Sequence, residues 1–438
     1  MPRRTLLNQA EAVAEHSPAW RRPLVLVFVL ALGIRLAYVL FYPQQVVFSD
    51  PWSYDVLGWS LAQGFGYRLP GGAPDVYWAP GYPALLGAIY AVCGHSYVWI
   101  RVVQALLSAL LVLLVGAMAT RVFDKRTAFI AAMLCACYPG FIGYSGVLLT
   151  ETLFTTQLAV IVLWLLAVHK DSSFRSLAGL GCVVGLTSLG RAEAVLLPLF
   201  VLVTLRLLFR DRTTTTARQL MVIYAAVVIV VVPWSVRNYA VTGEIIPLTV
   251  HDGDNIWIAS YKGEWLEFHT DREPYRSLVA GLSQLERSRV LKREGIRNIV
   301  NDPAGYLWLC VKRFPRFWIG GHSNMFVGME QSLSYYVERQ QYGVVVLKLG
   351  MLGANLLLVV LGACGAYLAF TRRKGPTRSM VVIGAPVVYV TAIHCVFFAA
   401  PRYQIPIMPY VLLFAAVALD HVVRARLDAR RQVTAVAS

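Results

Sequence analysis

LVLVFVLALGIRLAYVLFYPQQVVFSDPWSYD, residues 24–55, sets two unlike kinds of chemistry side by side. Leu24–Tyr42 carries one charge, Arg35, and as a helix it is long enough to cross a hydrocarbon layer of about 30 Å. Phe48-Ser49-Asp50-Pro51-Trp52-Ser53-Tyr54-Asp55 then places carboxylates among aromatic rings, just beyond a membrane boundary. Pro51 suits the first turn of a helix, and Ser49 or Asp50 suits its cap. Asp50 is therefore open to two roles, a cap and a reactive carboxylate, and one does not exclude the other.

The rest of the chain belongs with that first run. Hydrophobic side chains make up 57% of the 438 residues and charged ones only 15%, against about 25% in soluble domains. A polytopic membrane protein can be built from this mixture, and a soluble globule cannot. The net charge of +16 raises a nucleic-acid partner, but the cations are dispersed in short clusters between apolar runs, so no nucleic acid is expected. The seven cysteines fall mostly inside apolar segments, with no CxxC pair and no Cys/His metal spacing, and read as small buried hydrophobes. Cys93 and Cys310 are the pair that shares the predicted outer side. Mostly polar residues precede the first run and no small-residue cleavage site follows it, which makes the run a retained anchor.

Apolar runs predict an all-α fold of about ten transmembrane helices. They are Leu24–Tyr42, Val98–Thr120, Thr127–Ser145, Thr152–Val168, Leu177–Leu189, Val195–Leu208, Leu220–Trp234, Val344–Phe370, Met380–Ala400 and Ile405–Val423. With Arg3, Arg4, Arg21 and Arg22 on the cytoplasmic side, every second loop should be basic. Those loops carry Arg121, Lys125 and Arg126; Lys170 and Arg175; Arg210, Arg212 and Arg218; Arg372, Arg373, Lys374 and Arg378; and the tail carries Arg424, Arg426, Arg430 and Arg431. Both termini are thus expected in the cytoplasm of a cell whose cytoplasmic membrane holds the protein.

The chain divides accordingly into a cytoplasmic segment 1–23, a first span 24–42, an outer loop 43–97, spans two to seven over 98–234, an outer domain 235–343, spans eight to ten over 344–423 and a tail 424–438. In the first outer loop Pro51–Gln63 and Pro83–Val92 read as helices too short to span, lying in the interface with Trp and Tyr at headgroup depth. Trp52, Val56 and Trp59 share one side of the first. The outer domain should be mostly helical: Ser277–Val300 has a helical rhythm, and Asp302-Pro303 starts a helix over Ala304–Phe314 that Pro315 breaks.

Polar groups gather at span ends on the outer face: Asp50 and Asp55, Glu151, Arg191 and Glu193, Arg237 and Asn238, and Arg402 and Tyr403. Charges at one depth of a helical bundle are costly unless paired or functional. Plainer roles stand beside the functional ones. Glu151 suits the dipole of the helix it starts; Arg191 and Glu193 suit each other; Arg237 and Arg402 suit interface anchors. Arg35 is expected to pair internally and Asp55 to be solvated or helix-supporting. His251, His269 and His322 lack a ligand spacing, so no metal ligand is assigned, although a divalent cation is left open.

The chain resembles GT-C-fold glycosyltransferases, in the bacterial group akin to protein O-mannosyltransferases and lipid A aminoarabinose transferases. The matching segments are Ser49-Asp50 with Tyr54, Gly64-Phe-Gly-Tyr67, Ala79-Pro-Gly-Tyr-Pro83, Thr150-Glu-Thr-Leu-Phe154, Gly190-Arg-Ala-Glu193, Pro233-Trp-Ser-Val-Arg-Asn-Tyr239, Gly253-Asp-Asn-Ile-Trp257 and Arg402-Tyr-Gln-Ile-Pro406. The resemblance implies a polyprenyl-phosphate-linked monosaccharide as donor, transfer on the periplasmic or exterior side, and Asp50 as the acting carboxylate. The acceptor class, lipid, glycan or protein, is not fixed; where protein mannosyltransferases often show Asp-Glu, this chain has Asp50-Pro51. Chemistry gives the other expectations. Asp50 takes the acceptor proton; Arg237, Arg402 and Arg191 hold the departing phosphate; Tyr54, Glu151, Glu193, Asn255, Trp257 and Tyr403 contact substrate. A lipid-sugar flippase and an O-antigen ligase or polymerase are the competing readings.

Overall fold

The computed structural model describes residues 18–41, 50–169, 171–209, 216–261, 273–372 and 377–437. Ser49, Arg3, Arg4, His269 and the loop cations Lys170, Arg210, Arg212, Arg373 and Lys374 lie outside the described residues. Within them the regular structure is helical, apart from an isolated bridge between Arg68 and Pro74. The bundle is built from α1 (Pro18–Phe41), α4 (Tyr97–Val122), α5 (Lys125–Cys137), α6 (Pro139–Ser145), α7 (Glu151–Leu165), α8 (Phe174–Ser188), α9 (Leu197–Phe209, entered through a 3-10 turn at Ala192–Leu196), α10 (Thr216–Thr242), α16 (Tyr342–Arg372), α17 (Arg378–Val396) and α18 (Met408–Ala437). The first outer loop supplies α2 (Asp50–Ala62) and α3 (Gly81–Cys93). The outer layer supplies α11 (Asp252–Ser260), α12 (Tyr275–Val279), α13 (Gln284–Asn301), α14 (Pro303–Trp318) and α15 (Leu333–Glu338).

Seven helices among the described residues are long and apolar enough to cross a membrane, and α5 with α6 makes an eighth if that bent pair is one span. The protein is a polytopic all-α membrane protein. Its lateral faces fit lipid: on α16, Val346, Leu347, Leu357 and Val360 are all more than half exposed. Apolar side chains in that position have lipid tails rather than water for neighbours. The expected count of ten differs from this number because α7 and α8 have only 15 residues each, about 22 Å of rise.

The bend between α5 and α6 has a local cause. Pro139 disfavours helical backbone at Tyr138, which sits at φ −66° and ψ 117°, and the axes turn by 46°. Pro139 also has no N–H for the Cys135 carbonyl one turn earlier. Arg35, fully buried on α1, supplies the missing donor. Its Nη2 donates to Cys135 O at 3.2 Å, its Nη1 to Ala136 O at 2.9 Å, and its Nε to Ser108 Oγ at 2.7 Å. The expected internal pairing of Arg35 is therefore made with carbonyls, not with an acid. Arg35→Ala should leave the buried Cys135 and Ala136 carbonyls without these donors, at a cost of about 2–4 kcal/mol. The check is thermal unfolding in detergent; an unchanged midpoint would show that the bend does not need Arg35.

The first outer loop is a packed unit. α2 and α3 cross at Gly58 and Gly87, where a Cβ on Gly58 would lie 2.7 Å from Leu86 Cβ and one on Gly87 would lie 2.9 Å from Gly58 O. Their contact buries Tyr82, Leu86 and Tyr90 against Ile100 and Leu148. The buried face of α2 is Ser53, Asp55, Leu57 and Gly58, while Trp52 stays exposed. Asp55 is consequently 5% exposed rather than solvated. It accepts from Tyr97 OH at 2.9 Å and from the Tyr90 hydroxyl, with His95 Nε2 at 2.8 Å. It anchors the loop.

Two expected boundaries move. α10 continues through Pro233 past the boundary at 234/235 to Thr242, carrying Arg237 and Asn238 within a helix. α14 also runs through Pro315, ending at Trp318. Pro315 lies within a turn of the helix end, so the ladder it interrupts is short, and its carbonyl still accepts from Ile319 N at 2.9 Å. Elsewhere α13 starts at a reciprocal Ser283–Glu286 capping box, and Trp257, Tyr275 and Leu291 make a small core of the outer layer. Cys93 and Cys310 are free thiols.

His322 marks where the outer layer meets the bundle. It is 5% exposed with left-handed backbone (φ 54°) between the Tyr138 and Tyr144 rings, and its Nε2 has no partner among the described residues. Burial holds its imidazole down at about 4 against an ordinary 6.5. The folded form therefore binds neutral His322, so this contribution is complete above pH 6.5 and is lost as pH falls toward 4. The loss should reach about 3 kcal/mol. His322→Asn keeps a residue that tolerates φ above zero. It should flatten the fall in unfolding temperature between pH 7 and pH 4; an identical fall would assign the acid sensitivity elsewhere.

Candidate active site

Three turns at span ends come together over the bundle, and a close backbone contact with the start of α3 sets one of them. Gly81 N donates to Leu189 O at 2.8 Å, and a Cβ on Gly81 would lie 2.7 Å from Gly190 N. Gly81 therefore has to be small where the start of α3 meets the turn carrying Arg191 and Glu193. Glu151 opens α7, and Arg402 sits on the 3-10 turn Pro401–Ile407 between α17 and α18.

Their side chains form a continuous chain of charges. Asp50 Oδ2 accepts from Arg402 Nη1 at 2.8 Å, and Arg402 Nε is 3.8 Å from Glu151 Oε1. Arg191 Nη2 donates to the same Glu151 oxygen at 3.2 Å, its Nε to Thr150 Oγ1 at 3.1 Å and its Nη1 to Glu193 Oε1 at 3.4 Å. Glu193 Oε2 lies 3.3 Å from His394 Nε2. Burial is greatest at Glu151. The Asp50 and Arg402 side chains are 21% and 34% exposed, whereas Glu151 is 1%. The two arginines stand beside one another over Glu151, with Tyr403 against both: Arg402 Nη2 donates to Tyr403 OH at 3.1 Å, and the Arg191 guanidinium lies 5.2 Å from the Tyr403 ring.

An aromatic wall continues from Asp50. Tyr54, one helical turn on, packs edge-on against Trp78 and Tyr82 at 5.1 and 5.3 Å. Burial, with Asp50 and Glu151 nearby, pushes its phenol up from the ordinary 10. Trp78 meets His251 edge-on and Tyr77 stacks on His251 at 4.4 Å. Behind them Arg287 Nη2 donates to Asp254 Oδ1 at 2.5 Å and to Tyr77 OH at 3.2 Å. Burial lowers the His251 imidazole below its ordinary 6.5, so it is neutral beside this wall.

The structure thus brings together Asp50, Glu151, Arg191, Glu193, Arg402 and Tyr403, with Tyr54 adjoining. It does not bring Arg237 to them. Arg237 donates to Asp75 O at 2.5 Å and to Tyr67 O at 2.9 Å and lies 4.7 Å from the Trp234 ring. Its fork is used to clamp the first outer loop, which Gln284 also grips through Asp75 Oδ1 at 2.7 Å. Trp257 is likewise turned away, 5% exposed and stacked on Tyr261 at 4.8 Å in the outer-layer core. Asn255 is half-buried on the same helix and makes no described contact with the charged chain. Sequence reasoning missed His394. It is stacked flat on Tyr403 at 4.3 Å and 6°, with Nδ1 3.0 Å from Phe398 O. A single histidine near a span end was its only signal. Among the described residues no group of three or more His, Cys, Asp and Glu side chains is set to hold a metal ion.

A family described as dolichyl-phosphate-mannose-protein mannosyltransferase matches residues 77–236, which include Glu151, Arg191 and Glu193. Among curated proteins no sequence relative matches. The fold is similar to that of ArnT from Cupriavidus metallidurans bound to undecaprenyl phosphate, with a TM-score of 0.54 at 16% identity over 90% of this chain and 60% of that one. It is also similar to the Archaeoglobus fulgidus oligosaccharyltransferase AglB in complex with an inhibitory peptide and a dolichol-phosphate, with a TM-score of 0.54 at 17% identity over 96% of this chain and 52% of that one. The same archaeal enzyme with zinc and sulfate gives 0.52 at 17% identity, covering 92% of this chain and 50% of that one. The chain therefore has the GT-C-like fold of these proteins and spans between half and two thirds of their length.

Proposed function

We propose that this protein is a membrane glycosyltransferase that moves a monosaccharide from a polyprenyl-phosphate donor to an acceptor hydroxyl on the outer side of the cytoplasmic membrane. The observation that carries the proposal is the pairing of Asp50 with Arg402 at the exposed end of the Glu151–Arg191 chain, on a fold shared with proteins solved with polyprenyl phosphates. In this reading α7 and α8 also cross the membrane, giving ten spans, and both termini are cytoplasmic.

The acceptor oxygen attacks the anomeric carbon while its proton passes to the Asp50 carboxylate. The bond from that carbon to the phosphate oxygen breaks, and the lipid phosphate leaves with one more negative charge. Arg402 and Arg191 receive that charge through fixed N–H donors in a partly dry site. A single displacement inverts the anomeric carbon. Glu151 holds the two arginines at their spacing, Glu193 steadies Arg191, and Tyr403 and Tyr54 line the approach. The acceptor is a lipid, a glycan or a protein.

The test is transfer by purified protein in nanodiscs given a set of radiolabelled polyprenyl-phosphate monosaccharides and a membrane extract. Label should pass from one of them to an acceptor, and not from nucleotide sugars. Movement of intact lipid-linked sugar across a vesicle membrane without bond transfer would replace this reading with the flippase.

A further inference from the structure

Both arginines that would receive the donor phosphate are already held by carboxylates. Arg191 is shared between Glu151 and Glu193, and Arg402 Nη1 is taken by Asp50 at 2.8 Å. A phosphate cannot occupy that edge of the Arg402 fork while Asp50 does. Of the three acids Asp50 is the one placed to yield. Its side chain is 21% exposed, against 1% for Glu151 and 16% for Glu193, and Glu193 has His394 on its other oxygen. Asp50 also stands at the first residue of its helix.

From this geometry we infer that the Asp50–Arg402 ion pair is a latch that the donor phosphate opens. The inference rests on the donor reading above. Phosphate oxygens displace the Asp50 carboxylate from Arg402, and the guanidinium turns from partner of the base to binder of the leaving group. Asp50 is therefore released toward the acceptor only when the donor is bound, and the acceptor is used second. Proton and charge balance are those of the displacement itself: the acceptor proton ends on Asp50 and the bonding pair leaves with the phosphate.

The probe is undecaprenyl phosphate without sugar, titrated into the protein in nanodiscs. Asp50→Asn should bind it about tenfold tighter than wild type, because one competing carboxylate is gone. Asp252→Asn makes the same change of charge where the carboxylate pairs with Lys292 and touches neither arginine, and should stay within about threefold. Asp50→Ser, which keeps a group able to cap α2, guards against a folding defect of the amide and should behave as Asp50→Asn. Equal tightening in Asp252→Asn, or none in either Asp50 variant, overturns the latch while leaving the donor site standing. Absence of binding to every form overturns both the latch and the donor reading.

Discussion

Asp50→Asn is expected to lower sugar transfer by about 10²–10⁴-fold, the range that a positioned general base contributes. The substitution is nearly isosteric, and asparagine caps a helix as well as aspartate does. A loss cannot then be assigned to fraying of α2. Nor can it be assigned to weaker donor capture, since the amide no longer competes for Arg402. The result should be a fall in kcat with no rise in the donor KM, checked by initial rates at several donor concentrations. Wild-type turnover by Asp50→Asn would remove Asp50 from the chemistry and leave it as the ion-pair partner of Arg402.

Arg402→Ala should cost about 10²–10³-fold in kcat/KM, the scale set by removal of one donor to a developing oxyanion. Two things are lost together: the phosphate contact and the clamp on Tyr403, whose hydroxyl takes Arg402 Nη2 at 3.1 Å. Arg402→Lys separates them. It keeps a charge but not the planar fork, so it should restore donor binding more than turnover. A readout that points to the leaving group is the dependence on its basicity: donors with a better-leaving phosphate analogue should recover more rate in Arg402→Ala than in wild type. Equal recovery would place Arg402 outside the departing charge.

The sequence carried the helical membrane architecture openly, because apolar runs long enough to span are a one-dimensional signal. It also pointed to the charged turns, since Glu151, Arg191 and Arg402 each interrupt an apolar pattern where charge is costly. What it could not separate was a cation that faces substrate from one that braces a loop. Arg237 and Arg402 look alike in sequence, each near an aromatic residue at a span end, yet Arg237 spends its fork on two carbonyls of the first outer loop. Asp55 was hidden for a related reason: Tyr90, His95 and Tyr97 reach it from 35 to 42 residues away. Trp257 was misjudged because an aromatic ring fits a small helical core as well as a sugar. His394 has meaning only through Tyr403 and Glu193, which three separate segments bring together.

The most direct test of the central claim is the position of a bound polyprenyl phosphate, read from a cryo-EM map of the protein with undecaprenyl phosphate in nanodiscs. The phosphorus should lie within hydrogen-bonding reach of the Arg402 and Arg191 guanidiniums, with Asp50 swung clear of Arg402. A phosphate ordered instead at Arg237, or at the Arg126–Asp420–Arg424 cluster that joins α5 to α18, would contradict the account.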